Sequence, residues 1–104
     1  MANLMKNDSY YIIYGWMLNE LKLKSNELCI FAVIYGFSQN GGGKFTGSLQ
    51  YLADCGGCTK TTALNSVKSL VEKNLIKKEE IFTNNVKYCN YTLNNEHSIL
   101  KTMI

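Results

Sequence analysis

The residues with spacing suited to chemistry are cysteines first. Cys55-Gly56-Gly57-Cys58 is a CxxC, the spacing of redox dithiols and of half a zinc site, and Cys29 and Cys89 would bring the thiolates to four. A redox CxxC belongs in a thioredoxin-like βαβ setting, which the surrounding pattern lacks. Cys29 falls in an apolar helical stretch and Cys89 in a strand-like one, where cysteine serves as a small core residue. The four are therefore read as reduced structural thiols, with no metal and no cofactor. His97, the one histidine, sits in a polar C-terminal stretch and reads as a solvated surface residue. No grouping of nucleophile, base and oxyanion donors appears, so no enzyme is expected. Gly41-Gly42-Gly43 lacks the GK[ST] ending and the strand-to-helix setting of a phosphate loop.

The stretch from Thr59 to Lys73 offers a different chemistry. Ala63, Leu64, Val67, Leu70 and Val71 form an apolar helical stripe. Thir opposite face carries Thr61, Asn65, Lys68 and Glu72, with Thr62, Ser66, Ser69 and Lys73 beside them. A merely solvated helix face favours Glu and Lys, which are better helix formers than Thr, Ser and Asn. Short hydrogen-bonding side chains kept on such a face point to a contact. Between Gly56 and Lys78 the lysines at 60, 68, 73, 77 and 78 face Glu72 alone, while the rest of the chain is close to neutral. A local basic patch is the footprint of a phosphate-binding surface.

All 11 basic residues are lysine. Arginine's rigid fork, which reads guanine with two hydrogen bonds, is missing, and lysine suits phosphates as a point charge. Sequence reading would then rest on Asn, Thr, Ser and Lys, with Asn65 best placed to pair with adenine N6 and N7.

The elements that must hold this face can be read along the chain. Its 104 residues are one domain's worth. The start, residues 1–9, is polar and reads as frayed. Tyr10–Tyr14 reads as a short strand, and Trp16–Leu21 as a short helix after Gly15. Ser25 reads as the N-cap of a helix reaching Ser38, apolar nearly all round and therefore central and buried. Phe45-Thr46-Gly47 reads as a short strand after the glycine loop. Ser48 caps a second helix to Cys55, and Gly56-Gly57 ends it. Thr59 caps the third, and Asn74 takes the left-handed position after it. Leu75–Phe82 and Val86–Leu93 read as strands of a hairpin around Thr83-Asn84-Asn85. Residues 94–104 form a tail with a short amphipathic helix.

Helix, strand, helix, tight turn, helix, hairpin is the winged-helix order, a mainly α fold with a small β-hairpin wing (α+β). The third helix matches the major groove in width, and the wing tip reaches backbone or minor groove. The expected contacts to double-stranded DNA are Lys60, Thr61, Thr62, Asn65, Ser66, Lys68, Ser69 and Lys73, with Asn84, Asn85 and Lys87 from the wing.

Three segments carry a family resemblance: GWMLNELKLKSNELCIFAVIYGFSQ, FTGSLQYLADC and TKTTALNSVKSLVEKNLIKKE. Over about Gly15 to Glu80 the chain resembles the N-terminal winged-helix domain of phage-type replisome organisers and DnaD-like proteins of Gram-positive bacteria. Related sequences carry Trp at the position of Cys55 and Gly at that of Asn74. The resemblance implies DNA binding in replication initiation or transcriptional regulation. Members often carry a further C-terminal domain for protein contacts.

The alternative is a winged helix used as a protein-interaction module, supported by a net charge of only +3 and the lack of arginine. Two apolar strips lie near the chain ends: Tyr10, Tyr11, Ile12 and Ile13, and Ile99, Leu100, Met103 and Ile104. They read either as a homodimer contact or, at the C-terminal end, as a frayed tail. No apolar run reaches the roughly 18 residues of a membrane span, and the N-terminus has no signal pattern, so a cytoplasmic location is expected.

Overall fold

The computed structural model describes residues 10–39, 44–46 and 48–103. The segment read as frayed, the glycine loop at 40–43, Gly47 and Ile104 lie outside the described residues. Among the described residues, five helices and two strands follow in chain order: α1 (Gly15–Asn19), α2 (Ser25–Gln39), α3 (Leu49–Gly56), α4 (Lys60–Glu72), β1 (Ile76–Thr83), β2 (Val86–Leu93) and α5 (Ser98–Met103). The fold is winged-helix-like: mostly helical, with one antiparallel hairpin.

The apolar character of α2 makes it the centre. Ile30, Phe31, Ala32, Val33 and Ile34 are all buried. It packs against α3, α4 and β2, and touches α1. Leu52 and Ala53 from α3 and Ala63, Val67 and Leu70 from α4 join the same core.

The helix ends follow local chemistry. The Ser48 hydroxyl accepts from the Tyr51 N–H at 3.0 Å, and that of Thr59 accepts from the Thr62 N–H at 3.2 Å. Gly57, with φ 65, closes α3, and the Cys58 N–H reaches back to the Ala53 carbonyl at 2.9 Å. That is a Schellman motif, which requires the left-handed residue at this position. Asn74, φ 61, plays the same part after α4, where the Leu75 N–H donates to the Leu70 carbonyl at 3.1 Å. Leu70 and Leu75 are both buried, as the hydrophobic contact of this motif demands. The Asn94 side chain then donates to the Asn74 carbonyl at 2.8 Å and ties the end of β2 to the end of α4.

Four expectations need correction. Tyr10–Tyr14 takes no regular secondary structure and joins no strand among the described residues; Tyr11 instead donates its hydroxyl to the Cys55 carbonyl at 3.2 Å. Ser25 has φ 54, outside the extended region of a cap, and the Leu28 N–H bonds to the Lys24 carbonyl, so α2 starts one residue earlier in hydrogen-bond terms. Phe45 forms a single bridge to Tyr91 rather than a strand. Within the C-terminal strip, Leu100 on α5 is fully buried in the core and Ile99 half-buried, while the Met103 side chain and Ile104 lie outside the described residues. A frayed tail would leave Leu100 dispensable. Leu100→Ala is expected to cost about 2–5 kcal/mol in denaturant unfolding. A loss under about 0.5 kcal/mol would detach α5 from the core.

Candidate nucleic-acid interface

The orientation of α4 is fixed from two sides. Its buried stripe Ala63, Val67 and Leu70 meets α2 and α3. Its start is tied through Gly57-Cys58-Thr59 to the end of α3, a turn held by the Schellman bonds described above. What remains outward is Lys60, Thr61, Asn65, Lys68, Glu72 and Lys73, all exposed. Thr61, Asn65, Lys68 and Glu72 lie on one face, as the periodicity demands.

The expected contact residues separate into groups. Thr62, Ser66 and Ser69 are half-buried at the margin of the stripe. Thr62 also works within the cap, since its hydroxyl accepts from that of Thr59 at 3.1 Å. Lys73 forms an ion pair with Glu27 at the start of α2. Asn84 and Asn85 are exposed at the wing tip, about 23 Å along β1 from the end of α4 at the usual rise per residue. Lys87 stands opposite Phe82 in the ladder; its side chain lies outside the described residues. The α4 stripe and the wing tip are thus two separate regions.

The basic patch of the linear sequence is thinner in space. Lys73 is paired with Glu27, and Lys78 lies 3.4 Å from Glu80 within its own strand. Lys44 reaches Glu79 at 3.8 Å. Lys60, Lys68 and Lys77 are exposed and make no ion pair among the described residues. Lys60 stands at the N-terminus of α4 and Lys68 just past its middle, and Glu72 marks the acidic end of the stripe. The helix macrodipole adds positive potential at the same N-terminal end.

Sequence reasoning missed the apolar outer half of the wing. Phe82 is 71% exposed, Val86 48% and Ile81 37%. A strand whose outer part leaves the body looks, in sequence, like one that stays on it. Away from the wing in sequence, Tyr10, Ile12, Ile13, Tyr14, Leu18 and Phe37 are exposed too. Among the described residues, an open groove beside Tyr10, Tyr14, Phe37 and Tyr51 has no charged side chain in its lining.

The cysteines are free thiols, each half-buried. Burial pushes the Cys55 and Cys58 thiols up from their ordinary value. The Tyr11 hydroxyl is raised to about 12, first by its hydrogen bond with Cys29 and then by burial. Among the described residues no group of three or more His, Cys, Asp or Glu is placed to hold a metal ion. None of the described helices is long and apolar enough to cross a membrane.

No family model matches the sequence, and no curated protein matches it. Among solved structures the chain is similar to Stf76 from the Sulfolobus islandicus plasmid-virus pSSVx, with 18% identity. The superposition covers 81% of this chain and 99% of that one at a TM-score of 0.47, too loose to bear on function.

Two outcomes follow from these local interactions. Thr59→Ala removes the α4 cap and is expected to cost about 1 kcal/mol, lowering Tm by about 4–8 °C; an unchanged Tm would mean the cap does no work. With raised thiol pKa values, Cys55 and Cys58 hold less thiolate at pH 7 than an ordinary cysteine, and iodoacetamide should modify them more slowly than free cysteine. Faster modification would mark an activated thiol.

Proposed function

We propose that this protein binds duplex DNA by laying the N-terminal half of α4 in the major groove. The reading is carried by one observation: the exposed stripe Thr61, Asn65 and Lys68, next to exposed Lys60, with neither lysine in an ion pair among the described residues. Lys60 and Lys68 fit phosphates, and Asn65 fits the adenine edge. Thr61 has the hydroxyl for a further base or phosphate contact. Lys77 supplies a third cation at the root of the wing, and Asn84, Asn85 and Lys87 reach backbone or minor groove from its tip. The setting that fits is phage- or plasmid-type replication initiation or transcriptional regulation in the cytoplasm, in line with the resemblance to replisome organisers and DnaD-like proteins. No catalytic role is assigned to any residue.

The second reading, a protein-interaction module, is favoured by the exposed wing residues Ile81, Phe82 and Val86. A duplex titration at several salt concentrations separates the two. With Lys60, Lys68 and Lys77 on phosphates, the slope of log K against log salt is expected near about −3. Lys60→Glu with Lys68→Glu should abolish binding and leave the far-UV spectrum unchanged. Retained affinity in that double variant would remove α4 from the interface, and salt-independent or absent binding by the unaltered protein would favour the interaction module.

A further inference from the structure

We propose that the free edge of β1 pairs with the same edge of a second copy, joining two wings into one four-stranded antiparallel sheet. The pairing itself needs no DNA. Among the described residues β1 has a strand neighbour on one side only, β2. Ile76 is buried, and every residue from Lys77 to Thr83 is exposed. An exposed strand edge is a ready template for another strand.

The turn decides which backbone groups the edge offers. Asn84 and Asn85 have φ 52 and 65, both left-handed, as in the type I′ hairpin turn. Such a two-residue turn closes on a hydrogen-bonded pair, here Thr83 with Val86. Hydrogen-bonded and non-bonded pairs alternate along an antiparallel ladder. Lys77, Glu79, Ile81 and Thr83 therefore spend their N–H and C=O groups on β2. Ile76, Lys78, Glu80 and Phe82 turn theirs to the open edge.

A two-fold axis through the new sheet must bring these edge-facing residues opposite one another. Centred on Lys78, it sets Lys78 against its own copy; centred on Glu80, it sets Glu80 against its own copy. Like charges directly opposite destabilise a sheet. Centred on Glu79, it sets Lys78 opposite Glu80 twice and Ile76 opposite Phe82 twice. Lys78 and Glu80 already lie 3.4 Å apart within one strand, so the second copy completes an alternating square of charges. The same axis sets Glu79 opposite its own copy on the other face, one like-charge pair that Lys44 at 3.8 Å and the Asn90 amide at 3.5 Å offset on each side. Phe82, the most exposed apolar side chain of the wing, gains an apolar neighbour in the same register.

Charged residues on an edge strand ordinarily repel other strands. The Lys-x-Glu spacing of Lys78 and Glu80 keeps that protection against most sequences and lifts it for an antiparallel copy of itself, which is how specificity by repulsion works.

Sedimentation of the full chain over a concentration series tests the pairing. The unaltered protein should show a reversible monomer–dimer equilibrium. Lys78→Glu and Glu80→Lys should each weaken dimerisation by about tenfold or more, because each sets like charges opposite one another twice. Combining both substitutions swaps the charges and should restore it. Far-UV spectra of all three variants check that the hairpin is kept. A strictly monomeric unaltered protein would overturn the proposal. So would single variants that dimerise as well as the original, which would move the contact to a surface such as Tyr10–Leu18. Failure of the double variant to restore dimerisation, with spectra unchanged, would overturn it as well.

Discussion

Ile30 to Ile34 are five consecutive buried side chains on one helix. Successive positions on an α-helix turn by about 100°, so five in a row point in every direction around the axis. A helix buried at all of them must be enclosed on all sides. In 104 residues that enclosure takes nearly every other element: α3 and α4 lean on α2, β2 crosses it, and α1 closes a further side. Leu100 from α5 completes the same core. The position of α4 follows from this constraint, because it can bury its Ala63-Val67-Leu70 stripe only by turning Thr61, Asn65 and Lys68 outward.

The turn between α3 and α4 makes that placement rigid. Gly57 takes the left-handed conformation, and the Gly57 and Cys58 N–H groups satisfy the last carbonyls of α3. Thr59 then satisfies a free N–H at the start of α4. With three residues between the helices, little freedom is left in their crossing. The wing is anchored the same way at its root, through Asn74, Leu75 and Asn94. Beyond the root β1 is exposed from Lys77 onward, while β2 stays against the body as far as Tyr91 and Asn90.

Much of this was legible in the sequence because it is decided locally. Ser48 and Thr59 as caps, Asn74 as a left-handed terminator and Asn84-Asn85 as a hairpin turn each depend on a few neighbouring residues. The burial of α2 was legible from its apolar character on every face. What escaped is decided over distance. Glu27 and Lys73 are 46 positions apart, and their ion pair removes one lysine from the patch. Glu79 and Glu80 follow the lysines in sequence and sit among them in space, so a count over residues 56–78 overstated the charge. Tyr10–Tyr14 has the composition of a strand with no strand beside it among the described residues, and Leu100 shows its burial only once α5 has docked. The likeness of Phe82 to a core residue could not reveal that its strand had left the body by that point.

Of the five lysines between residues 56 and 78, the three without ion partners among the described residues, two of them on α4, set the scale of the proposed interaction: a modest electrostatic term, with Thr61 and Asn65 supplying what selectivity there is. Backbone amide chemical shifts recorded while duplex DNA is titrated into labelled protein test this most directly. The account predicts shifts clustered at Lys60, Thr61, Asn65 and Lys68, with a second, smaller group at Asn84 and Asn85. Shifts confined to Tyr10–Leu18 and Phe37, or none along α4 at saturating DNA, would contradict it.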